Sequence, residues 1–193
     1  GCSTVSTETT PQSAKHSDGK TRIYLAADST VADHTLNADY WQKRHPVTGW
    51  GQHFAEQFEG ANLNRVTHWV SEKGVQIENK AKGGRSTRTF FVEGRWREIV
   101  EALKADDIVM IQFGHNDQAV TKTERYVTVE GYKEYLRLFI MQTRERGAIP
   151  ILLTPVNRNY PWQDDGSLGN SHGEYPDAAR EIAREMNVAF IDL

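Results

Sequence analysis

The sequence predicts an α/β fold: a three-layer sandwich built on a mostly parallel five-stranded sheet, with helices on both faces. From Thr21 onward, short apolar runs alternate with amphipathic stretches. Strands separated by helices need crossover connections, and crossovers make neighbouring strands parallel. The length, 193 residues, suffices for one domain with a sizeable core but not for two large ones.

The predicted elements follow in order. The first strand, residues 23–27, is a run of apolar and small side chains that breaks into Asp28-Ser29-Thr30. Residues 31–49, rich in Asp, His and Asn, are long for a connection, and such loops are commonly functional or disordered. A helix is expected near 52–58, a second strand over 75–81, a helix over 95–104 and a third strand over 107–113. The next helix, 132–146, repeats Tyr132, Tyr135, Leu136, Phe139 and Ile140 at helical spacing, the mark of a core stripe. A fourth strand is expected over 149–154. A second long loop, 158–173, carries Pro161, Gly166 and Gly169, and a helix over 176–186 leads to a fifth strand over 188–192.

A net charge of −3 with 25% charged residues argues against bulk attraction to nucleic acid, and no apolar run approaches the length of a membrane span. Cys2 is the only cysteine, which excludes an intrachain disulfide and a cysteine-based zinc cluster. Residues 1–20 hold one large apolar side chain, Val5, and are expected to form a disordered polar tether ahead of a domain spanning 21–193. Gly1-Cys2-Ser3 resembles the cut end of a bacterial lipoprotein signal, whose cysteine receives a lipid anchor; a cloning remnant reads equally well. The tether reading places the protein outside the cytoplasm: secreted, periplasmic, or lipid-anchored at the bacterial surface.

Polar residues recur at the same end of three predicted strands. Ser29 follows the first, as a helix cap or as a nucleophile. Lys80-Ala81-Lys82-Gly83-Gly84-Arg85-Ser86-Thr87-Arg88 follows the second, as a capped tight turn or as a glycine turn exposing a backbone N–H. Gly114-His115-Asn116-Asp117 follows the third, as turn chemistry or as a source of a side-chain amide donor. Converging, they supply a serine and three donors for an oxyanion, counting the backbone N–H of Ser29.

At this point the chain resembles the SGNH, or GDSL, hydrolases, whose first three blocks match DST, GGRS and GHND. The likeness is greatest to the rhamnogalacturonan acetylesterases, through LAADSTVAD, GWGQ at 49–52, NKAKGGRSTRTF and FGHND in the expected order. The resemblance spans roughly 21–193 and implies a flavodoxin-like SGNH fold without metal or cofactor. Ser29 would be the nucleophile, Gly84 the backbone donor and Asn116 the side-chain donor. Two departures stand out. Ala27 replaces the usual glycine before Asp-Ser, and the Asp-x-x-His block that supplies the family's base is absent: none of the seven histidines sits in that context. The fold is therefore expected to be C-terminally incomplete and catalysis feeble, the chain being a fragment or its gap being filled by a second chain. His34 and His115, near the expected site, read as structural or solvated histidines rather than substitutes.

An acetylated acidic polysaccharide such as pectic rhamnogalacturonan is the implied substrate. Arg85 and Arg88, in a stretch with four cations and no acid, are suited to hold uronate carboxylates by forked hydrogen bonds. Asp28 and His115, flanking Ser29 and Asn116, are grouped with the substrate-binding residues. Trp41 and Trp162 in the long loops offer stacking faces for sugars. The alternatives are a lipase or thioesterase of other acyl preference, a non-catalytic carbohydrate-binding remnant, and a flavodoxin-like nucleotide binder. The last lacks a glycine-rich phosphate loop.

Overall fold

Backbone hydrogen bonds join five strands into one sheet in the computed structural model, which describes residues 15–29, 31, 70–155 and 174–192. The strands are β1 (Thr21–Ala27), β2 (Val75–Asn79), β3 (Ile108–Gln112), β4 (Ile149–Leu153) and β5 (Ala189–Ile191). Their spatial order is β2-β1-β3-β4-β5, and all four pairings are parallel. The helices are α1 (Thr87–Val92), α2 (Arg95–Ala102), α3 (Val129–Glu145) and α4 (Glu174–Glu185).

All five expected strands form; β1 begins two residues earlier than expected, and the other four are trimmed by one or two residues at one or both ends. The second shows why: the regular ladder with β1 stops at Asn79, yet the Lys80 and Lys82 N–H groups still donate to the Leu25 and Ala27 carbonyls at 3.0 and 3.1 Å. The chain keeps hugging β1 beyond the strand and is led past its end. Helix α1 is not among the expected elements; the cap read at Ser86 and Thr87 starts a real helix. The expected helix over 52–58 and most of both long loops, with Trp41, Trp162 and His34, lie outside the described residues.

Alternation in β1 and β3 divides two cores. Tyr24, Ala26, Val109, Ile111 and Phe113 face one cluster with residues of all four helices, while Ile23, Leu25, Ala27, Ile108 and Met110 face a second with Val31 and Val70. In the first cluster the Trp96 ring stacks on Phe139 at 4.3 Å, and its indole N–H donates to Gln142 Oε1 at 2.7 Å. The stripe expected in α3 is buried as predicted at Tyr132, Leu136, Phe139 and Ile140, each 0% exposed, and Tyr135 packs at its margin. Burying a side chain of this size stabilises by about 2–3 kcal/mol.

The topology also decides where a site can sit. The chain leaves β1 toward one edge of the sheet, to β2, and leaves β3 toward the other, to β4. The carboxyl ends of β1 and β3 therefore flank the switch point at which open α/β sheets bind ligands.

Candidate active site

The loops after β1, β2 and β3 meet at that switch point. Asp28 is buried, Ser29 is half-buried, and the Val31 N–H closes a turn onto the Asp28 carbonyl at 3.2 Å. Asn79 ties this turn to the next loop: its side-chain N–H donates to the Val31 carbonyl at 3.1 Å, and its oxygen accepts from Ala81 N–H at 3.1 Å. The extended residues 80–82 then deliver Gly83 to the flank of Ser29, where a Cβ on Gly83 would lie 3.6 Å from Ser29 Cβ.

Gly84 has φ +76°, the left-handed region that glycine enters without steric cost. Among the described residues its N–H meets no hydrogen-bond acceptor, the condition expected of an oxyanion donor. Arg85 holds the turn rather than facing outward. Its guanidinium forms a fork on Glu93 at 2.7 and 2.8 Å and donates to the Gly83 carbonyl at 2.9 Å. The positive stretch read in the sequence thus finds its acids beyond residue 88, in Glu93 for Arg85 and in Glu98 for Lys80 at 3.3 Å. Arg88 is exposed on α1.

The third loop enters at Gly114, φ +135°, where a Cβ would fall 2.5 Å from Pro155 Cγ and 3.5 Å from the Tyr132 hydroxyl. No other residue fits that approach. Asn116, 5% exposed, donates from Nδ2 to the Arg85 carbonyl at 3.1 Å, and its Oδ1 accepts from Arg125 Nη1 at 3.3 Å. The same Nη1 lies 3.5 Å from the position a Cβ on Gly84 would take. Asp117, fully buried, accepts from Thr87 N–H and from the Thr87 hydroxyl, clamping the third loop to the start of α1. Burial, opposed by those hydrogen bonds, pushes its carboxyl up to about 7, and the nearby Asp28 adds to the rise.

Ser29, Gly84 and Asn116 are therefore linked through neighbouring residues into one cluster at one pole of the sheet. Asp28 and His115 adjoin it, both largely buried. His16, the other described histidine, sits at the opposite pole, its Nε2 2.7 Å from Asp107. Sequence reading did not single out Asn79, Glu93 or Arg125. The contacts that matter at the site reach 48, 8 and 9 residues along the chain, to Val31, Arg85 and Asn116, and no local spacing marks them.

The chain belongs to the GDSL-like Lipase/Acylhydrolase family, whose model matches residues 28–193. It is 38% identical over 172 residues to rhamnogalacturonan acetylesterase RhgT of Bacillus subtilis (strain 168), an alignment covering 89% of this chain and 64% of that protein. Identity to the probable rhamnogalacturonan acetylesterase YesY of the same organism is also 38% over 172 residues, with 89% and 69% covered. The crystal structure of Bacillus subtilis YxiM matches with a TM-score of 0.66 at 26% identity, over 89% of this chain and 43% of that one. The chain thus spans a little under two thirds of RhgT.

Proposed function

We propose that this chain carries the nucleophile and oxyanion donors of a carbohydrate O-acetylesterase that removes acetyl groups from pectic rhamnogalacturonan. The meeting of the loops bearing Ser29, Gly84 and Asn116 at the β1/β3 switch point carries the reading, and the names of RhgT and YesY supply the substrate class. The Ser29 hydroxyl attacks the acetyl carbonyl. The oxyanion that forms accepts hydrogen bonds from the backbone N–H groups of Ser29 and Gly84 and from Asn116 Nδ2. Collapse expels the sugar hydroxyl, and water hydrolyses the acetyl-serine to acetate.

In this family the proton is taken by a histidine beyond the last strand. Since β5 runs parallel to β1, a segment following it would start at the site's pole. With Arg85 engaged by Glu93, Arg88 is the better candidate of the two for a uronate carboxylate.

Acetate release from acetylated rhamnogalacturonan, acetylated xylan and a long-chain ester, by this chain and by one extended beyond Leu193, tests the reading. The expected result is preference for acetylated rhamnogalacturonan and a loss on Ser29→Ala of about a thousandfold or more in the active form. Release untouched by Ser29→Ala would end the nucleophile assignment. Retained polysaccharide binding with no cleavage in either form would favour the carbohydrate-binding alternative.

A further inference from the structure

We propose that Arg125 is a positioning residue: its guanidinium holds the Asn116 carboxamide in the one orientation that leaves an amide N–H, not the carbonyl oxygen, as the group still to be satisfied. The inference rests on the acyl-hydrolase reading above for its catalytic meaning, though the contact itself does not.

A carboxamide can turn by half a revolution and keep its shape, exchanging two donors for an acceptor. At Asn116 the two neighbours forbid the exchange. A guanidinium only donates, so Arg125 Nη1 at 3.3 Å demands the oxygen. A backbone carbonyl only accepts, so Arg85 O at 3.1 Å demands the nitrogen. Turning the group would set donor against donor and acceptor against acceptor at a residue 5% exposed, where water cannot easily repair both losses. Nδ2 carries two hydrogens and Arg85 takes one, which leaves the second as the catalytic donor.

The β3–α3 connection brings Arg125 back to this point. Ala119 N–H returns to the Asn116 carbonyl at 3.2 Å, Arg125 N–H to the Lys122 carbonyl at 3.0 Å and Val127 N–H to the Asp117 carbonyl at 2.9 Å. The buried Tyr175 hydroxyl then donates to the Val127 carbonyl at 2.6 Å, fixing the return to α4. Glu124 meets the Arg125 Nε at 3.2 Å and steadies the far side of the guanidinium.

The test uses Arg125→Ala and Arg125→Lys in the full chain, with circular dichroism as the fold control and two independent readouts. In NMR spectra, the side-chain amide resonances of Asn116, assigned with Asn116→Asp, should shift and broaden in Arg125→Ala while β1 and β3 backbone amides stay in place; Arg125→Lys should restore part of the pattern. Turnover of the uncharged ester para-nitrophenyl acetate should fall about 10- to 100-fold in kcat with KM nearly unchanged. Methylguanidinium should recover part of the loss in Arg125→Ala, and Arg125→Ala should add no further loss in an Asn116→Ala background. Unmoved Asn116 resonances, or undiminished kcat in Arg125→Ala, would overturn the positioning role and leave the hydrolase reading standing. A wild-type chain without turnover even when extended beyond Leu193 would instead strike the hydrolase reading, and the NMR arm would still decide whether Arg125 holds Asn116.

Discussion

The Asp117 carboxyl lies fully buried at the first turn of α1, 3.1 and 3.2 Å from the Thr87 N–H and bonded to the Thr87 hydroxyl. Its protonation should be visible in stability. The folded state raises the carboxyl from 3.8 to about 7, so between those values the folded chain holds a proton the unfolded chain has released. Stability contributed by this group therefore falls as pH rises through that window and levels off above it. Relative to Asp117→Asn, which keeps an acceptor and cannot ionise, the wild type should lose on the order of 4 kcal/mol across the window. Urea unfolding of both proteins along a pH series measures the difference. A difference flat with pH would mean that Asp117 is ionised throughout.

Helix α1 shows how tertiary context makes an element from unpromising residues. Thr87–Val92 reads TRTFFV, with β-branched and aromatic side chains of modest helix propensity. The helix is secured at its start by a capping box, Ser86 N–H to Thr89 Oγ1 at 2.9 Å and Thr89 N–H to Ser86 Oγ at 3.3 Å, and by Phe90 against Phe113 at 5.1 Å. Its start also fixes Gly84 and Arg85 immediately upstream. Ser86→Ala should cost about 1–2 kcal/mol in urea unfolding, because the half-buried Thr89 N–H loses its acceptor. A loss within a few tenths would show that the cap is not what holds the helix. The exposed pairs between α3 and α4, Lys133 with Glu181 at 2.9 Å and Arg137 with Glu185 at 2.7 Å, are expected to contribute little by comparison.

At the scale of the whole sheet, the described residues show a second buried polar cluster at the pole opposite the candidate site. At the amino-terminal pole the Asp107 carboxylate, 1% exposed, gathers Arg22 N–H at 3.0 Å, Lys104 N–H at 2.9 Å and His16 at 2.7 Å. It joins β1, the α2–β3 turn and the segment before β1. Burial is deepest in the middle of the sheet, where every residue of β3 is buried, and lightest in β5, where Ala189 and Ile191 are exposed. Backbone amides of β1 and β3 should therefore exchange hydrogen only through global unfolding, and those of β5 at least about tenfold faster through local opening. Hydrogen-exchange mass spectrometry reads both. Equal protection in β5 and β3 would contradict the gradient.

The strand count and the parallel sheet were legible in the chain, because apolar runs and turn residues act on near neighbours and leave a periodic trace; the blocks at residues 29, 84 and 116 were visible as polar strand ends, and only the family resemblance joined them into one candidate site. Tertiary structure alone decided which charges remain available: Arg85, read as a ligand for carboxylates, is taken by Glu93, while Arg125, unmarked in sequence, arrives beside Asn116. It also decided that all four described helices share one face of the sheet. The physical reason is common to both. A forked ion pair, or a carboxamide held between a donor and an acceptor, depends on where loops return in space, and no spacing along the chain records that.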